Sequence, residues 1–114
     1  MKKILLPTDF SSNAWNAIAY ALNLYADEAC LFFLMNSYTP PLSGASTTIT
    51  STNITKTLLE ASRKISKDGL EDTLQKITAN HTNALHQFKT VSKYNFFLEA
   101  VKEIIAEEDI DIIV

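Results

Sequence analysis

Apolar positions along the chain follow two alternating rhythms. Ile4-Leu5-Leu6 is a continuous apolar run, and continuity rather than alternation marks a strand covered on both faces. Residues 2–8 are therefore predicted as a buried strand. Ser11 or Ser12 then offers a good N-cap. Beyond it Ala14, Ile18, Ala21, Leu22 and Tyr25 recur at spacings of three and four, the stripe of a helix with one buried face, with Trp15 beside it. The helix ends near Asp27-Glu28 without a glycine. "ACLFFLMNSY", over 29–38, has strand composition again. Residues 54–79 return to the helical period, with Leu58, Ile65, Leu70, Leu74 and Ile77 on a stripe that drifts round the axis. Gly69 falls inside it, where glycine costs about 1 kcal/mol against alanine, so a bend or break is expected there. The polar stretch "NHTNALHQ" reads as a connector with solvated His81 and His86. A weaker strand follows over 88–93. Asn95 is the expected cap of a helix over 96–108, with Leu98, Val101, Ile104 and Ile105 inward, and "IDIIV" begins a fourth strand.

Strands and helices alternate throughout, and this alternation predicts the α/β class: an open, doubly wound parallel sheet with right-handed crossovers. The loop over 39–53 stands apart. Pro40-Pro41 blocks continuation of the second strand, the Ser/Thr-rich remainder has nothing to pack, and irregular loops of this length are often functional.

At 114 residues the chain is expected to form one domain, and 46% apolar with 20% charged residues suffices for a core without staples. The net charge of −3 and sequence pI near 5.3 supply no basic stripe to release counterions from a nucleic acid or to hold an anionic membrane. The single cysteine, Cys30, lies among Ala29, Leu31, Phe32 and Phe33 and reads as a small buried hydrophobe. The N-terminal apolar run is too short for a signal peptide, and no segment has the length of a membrane span, so cytoplasm is the expected compartment.

Pro7, Thr8 and Asp9 fall at the carboxyl end of the first strand. In doubly wound sheets ligands bind beyond that edge, near the point where strand order reverses. Two readings follow. The carboxylate could accept hydrogen bonds from a ribose or a base while the next helix offers free N–H groups to an anion. Alternatively Asp9 and the serines merely cap the helix, a contribution of about 1 kcal/mol.

The stretch "KKILLPTDFSSNAWNAIAYALNLY" resembles the N-terminus of the universal stress protein family, where a first strand ending in Pro-Thr-Asp leads into an alanine-rich helix. "FLMNSYTPP" is similar to that family's second strand and exit, and "AVKEIIAEEDIDIIV" to its last helix and fourth strand. The resemblance implies a five-stranded parallel sheet of order 3-2-1-4-5 in a cytoplasmic, usually dimeric stress-response protein. Some members bind ATP. It places Asp9, with Pro7 and Thr8, beside the nucleoside, and the backbone of Asn36 or Ser37 against adenine. In binding members a glycine-rich stretch after the fourth strand holds the triphosphate. The only glycines here are Gly44 and Gly69, and the chain ends at Val114. The expectation is thus a fragment with order 3-2-1-4, lacking the fifth strand, from a homodimer or a tandem pair, and binding triphosphate weakly or not at all.

Other chemistry is poorly supported. His81 and His86 lack further ligands at metal-binding spacing. Glu107, Glu108, Asp109 and Asp111 read as a solvated helix end. Asp9 stands without the clustered acids of a phosphoacceptor domain, no glycine follows strand one as a nucleotidyl-transfer loop requires, and no serine has a recognisable histidine and acid partner. Two functions remain open: a nucleotide-sensing domain, or a stress-related interaction module using sheet edges, Trp15 or the aromatic Tyr94-Asn95-Phe96-Phe97 segment.

Overall fold

The computed structural model describes residues 1–39 and 51–114, with side chains from 56 onward in the second segment. The elements are β1 (Lys2–Pro7), α1 (Ser12–Leu24), β2 (Cys30–Tyr38), α2 (Ser51–Asn80), β3 (His86–Tyr94), α3 (Phe97–Glu108) and β4 (Ile112–Ile113). All strand pairs are parallel and the order is β3-β2-β1-β4, as the alternation and the family resemblance predict. Most of the expected loop over 39–53, including Pro40, Pro41 and Gly44, lies outside the described residues, and α2 already begins at Ser51.

β1 is central and paired on both sides, from Lys2↔Cys30 to Pro7↔Met35 with β2, and at Ile4↔Ile112 and Leu5↔Ile113 with β4. Pro7 is tolerated there for a positional reason. The carbonyls of Lys3 and Leu5 accept from Asp111 and Val114 on the β4 side, whereas Thr8 N donates to Met35 O on the β2 side at 2.8 Å. The N–H that Pro7 lacks would face β4, past the end of that short strand.

Alternate residues of β1 and β2 feed two cores. Ile4, Leu6, Phe32 and Leu34 pack under α1 and α2 with Ile18, Ala21, Leu70 and Ile77. Leu5, Phe33 and Met35 pack under α3 with Ala100 and Ile104. Two crossovers thus cover one face and the third covers the other, so the chain reverses direction beside β1. Cys30 is buried, as expected, and burial pushes its thiol pKa up.

Several local expectations are corrected. α2 is continuous through Gly69. The glycine serves close approach: a Cβ there would lie 2.5–2.8 Å from three ring atoms of Phe10. Phe10 has φ 67°, in the left-handed region, and its N–H donates to Thr8 Oγ1 at 3.0 Å. The stripe on α2 holds only in its second half. Leu70 and Ile77 are buried, Leu58 and Ile65 are exposed, and Ser66 takes an inward position, paired with the Ser92 hydroxyl at 2.7 Å. Length explains the exposure: 30 helical residues span about 45 Å. The nine residues of β3 span about 30 Å. In α3 the N-cap is Phe96 rather than Asn95. The Asn95 side chain instead accepts from Phe96 N and donates to Glu103, and Leu98 points to solvent while Ala100 packs inward. The acidic end of α3 is engaged, with Glu107 paired to Lys93 at 2.9 Å and Asp111 accepting from Lys3 N at 2.9 Å.

His81 and His86 are not a solvated connector. His86 opens β3, buried against Phe32, and its Nε2 lies 2.8 Å from Tyr25 O. A carbonyl can only accept, so this nitrogen carries the proton. Neutral His86 then presents bare Nδ1 to His81 Nε2–H at 3.0 Å, with the rings stacked. Burial, then the neighbouring His86, lowers the pKa of His81.

Two predictions follow from these contacts. In a Phe10→Ala background, Gly69→Ala stabilises the protein by about 1 kcal/mol through helix propensity. In the native background the displaced Phe10 ring cancels most of that gain, and a urea double-mutant cycle reads the coupling. For His81, a pKa lowered on folding means full stability above the ordinary histidine value, lost as pH falls through the folded one. One proton limits the slope to about 1.4 kcal/mol per pH unit. His81→Gln flattens stability measured by urea unfolding between pH 7 and the onset of carboxylate titration.

Candidate functional site

At the carboxyl ends of β1 and β2 lies a cleft of about 440 Å³, within the usual range for small-molecule sites. Its lining comprises Pro7, Thr8, Asp9, Ser11, Asn13 and Ala14 from the end of β1 and the start of α1, Met35, Asn36 and Ser37 from β2, and Phe97 from α3. All five residues singled out from the sequence, Pro7, Thr8, Asp9, Asn36 and Ser37, are therefore brought together in one cleft, beside the point where the crossovers diverge.

The floor is held by a short network. Thr8 is 8% exposed; its amide reaches Met35 O and its carbonyl accepts from Asn36 Nδ2 at 2.8 Å. Because that carbonyl can only accept, the Asn36 carboxamide is fixed with nitrogen toward Thr8 and oxygen away from it. Asn36 thereby ties the tips of β1 and β2 together. Above the floor, Asp9 Oδ1 accepts from Ser11 N at 2.9 Å, and Ser11 Oγ accepts from Ala14 N at 3.1 Å as the cap of α1. The hydroxyl of Ser11, then its amide, lowers the pKa of Asp9, so the exposed carboxylate is ionised at neutral pH. Both readings of Asp9 and the serines have a physical basis here: they build the helix cap, and they do so at the rim of a cleft.

Sequence reasoning missed Asn13, Met35 and Phe97 as lining residues, and read Ser11 and Ala14 only as a helix cap and a buried helix position. Asn13 follows from the helix start two residues after Ser11. Met35 lies on the α3 face of β2, one residue before Asn36, and the strand period alone could have placed it. Phe97 had no such signal, because its arrival depends on where α3 begins relative to the tip of β2.

The lining residues combine one carboxylate, hydroxyls and carboxamides with an apolar end made by Met35 and Phe97. Such a set can hydrogen-bond a polyhydroxylated group and cover a flat apolar one. Asp9 carries the only formal charge among these residues. Among the described residues no helix is long and apolar enough to cross a membrane.

No protein-family model and no curated protein sequence matches the chain. Solved structures do. The universal stress protein UspA from Lactobacillus plantarum superposes with a TM-score of 0.78 at 21% identity, over 99% of this chain and 74% of that one. A universal stress protein family member from Burkholderia pseudomallei gives 0.69 at 19% identity, over 98% and 78%. A universal stress protein in complex with cAMP gives 0.62 at 14% identity, over 98% and 73%. The likeness is one of fold: this chain has the Rossmann-like parallel α/β fold of the universal stress proteins, with strand order 3-2-1-4.

Ser11→Ala removes both the helix cap and the hydroxyl that lowers the Asp9 pKa. The expected outcome is a loss of about 1 kcal/mol in urea unfolding. An upward shift of the Asp9 carboxyl midpoint in an NMR titration accompanies it, and an unmoved midpoint would leave the amide as the sole cause.

Proposed function

We propose that the chain is a universal stress protein-like domain that receives an adenine nucleotide, ATP among them, in the cleft at the carboxyl ends of β1 and β2, gripping it by the nucleoside. The observation that carries this reading is the convergence of Pro7, Thr8, Asp9, Asn36 and Ser37 on one cleft at the strand-order reversal, from segments separated by a full helix. An ionised Asp9 at the rim suits the hydroxyls of a ribose, since a carboxylate accepts from two donors without needing a counter-charge. Asn36 and Ser37 offer carboxamide, hydroxyl and backbone groups to the edge of a base. The cAMP complex of a protein with this fold gives the reading further support. Our proposal extends to a cytoplasmic stress-response role and to pairing with a second such domain, as a homodimer or in tandem.

The phosphates have little to hold them among the lining residues. The described cleft adds no cation to the N–H groups of the first turn of α1. Adenosine and ATP should therefore bind this part of the protein with similar affinity, any phosphate grip coming from elsewhere.

A second reading is favoured by a different observation. Tyr94, Phe96 and Leu98 are 50%, 60% and 68% exposed around the start of α3, an apolar surface available to a partner without nucleotide. In that case the domain is a stress-related interaction module.

Calorimetric titration of adenosine, AMP, cAMP and ATP into the complete protein decides between them. Binding is expected for adenosine, and Asp9→Ala should weaken it about ten-fold or more, the worth of a hydrogen bond to a charged group. Absence of heat for every ligand with folded protein leaves the interaction module.

A further inference from the structure

Phe97 opens α3 and keeps 51% of its surface exposed. Its neighbours Phe96 and Leu98 are more exposed, but neither lines the cleft, whereas Phe97 does. Met35, fully buried, lines the same cleft and belongs to the core on the α3 side of the sheet. Asp9, Ser11, Asn13 and Ala14 line it from the α1 side. The cleft is therefore polarised, with the half-exposed Phe97 and the buried Met35 toward one helix and a carboxylate with hydroxyl and carboxamide groups toward the other. A nucleoside has the same two-part character, an apolar-faced heterocycle joined to a polyhydroxylated sugar.

Resting on the nucleoside reading above, we infer that Phe97 is the residue that makes the cleft select for a base: its ring stacks on the flat face of the heterocycle while the sugar hydroxyls meet Asp9. Every base has a π-face, so an aromatic platform grips bases generally and discriminates weakly among them. The site class that follows is a nucleoside or mononucleotide with a loose base preference. A bare sugar or sugar phosphate lacks the face that Phe97 holds. Because the ring sits at the first residue of α3 and half in solvent, replacing it removes little core.

The test uses the complete protein with adenosine, guanosine and D-ribose as probes, and the variants Phe97→Leu and Phe97→Trp. Leucine keeps apolar bulk and loses the flat ring, so burial alone would leave affinity unchanged, whereas stacking predicts a loss of about ten-fold for both nucleosides. Tryptophan should bind at least as tightly as the native residue. Upfield ring-current shifts of the adenosine H2 and H8 protons on binding are expected with Phe97 and should disappear with leucine. Ribose should bind weakly and equally to all three proteins. If Phe97→Leu binds adenosine within about two-fold of native with the same proton shifts, and Asp9→Ala still weakens binding, stacking is wrong while the nucleoside reading stands. If native protein fails to bind adenosine, both fall.

Discussion

β1 lies inside the sheet, paired with β2 along its whole length and with β4 at Ile4 and Leu5, and the arrangement at the top of the sheet depends on that central position. Right-handed crossovers that run in opposite directions across the sheet on the two sides of a central parallel strand pass over opposite faces. Here α1 and α2 take one face and α3 the other. No helix can lie over the gap between them. The carboxyl end of β1 and the turn after it, carrying Pro7, Thr8 and Asp9, thus lie beyond the stretch that the two cores claim. The apolar residues just below, Ile4, Leu5 and Leu6, are at most 1% exposed. Burial ends within three positions.

What keeps this tip ordered is hydrogen bonding more than packing. Thr8 is tied to β2 through its amide and carbonyl and to its own loop through its hydroxyl. Asp9 and Ser11 then satisfy the first amides of the loop and of α1. Each such bond adds only about 1 kcal/mol net. Leaving one of these groups unpaired in so crowded a place would cost more. A set of mutually satisfied groups of this kind presents its surfaces to a ligand already arranged, so little ordering remains for the binding event.

Much of this was legible in the sequence, for a reason that can be named residue by residue. The continuous run Ile4-Leu5-Leu6 required cover on both faces and so marked a buried strand of a parallel sheet, whereas the strand order was implied by the family resemblance. Pro7, Thr8 and Asp9 were found because a strand end can be read from proline and polar punctuation, while Asn36 and Ser37 came from the family resemblance. The misreadings share a cause. Leu58 and Ile65 match a helical stripe, but periodicity does not reveal how much of α2 overhangs the sheet. His81 and His86 look like connector residues because the carbonyl of Tyr25, which fixes the pair, is some 60 positions away in sequence. Asn95 resembles a cap, and its side chain is drawn away by Glu103. Phe97 entered as an aromatic of uncertain purpose, and only three-dimensional placement connects it with Met35.

The contact between Phe10 and Gly69 reaches beyond local packing. Phe10 directly follows Asp9, and its ring occupies the space that any side chain at 69 would need. Two positions 59 residues apart therefore constrain each other's size. Among descendants of a common ancestor, bulk gained on the helix must be matched by bulk given up in the loop, or the carboxylate shifts. A helix with no residue in the cleft thus has a say in its geometry, and drift at position 69 leaves a correlated trace at position 10.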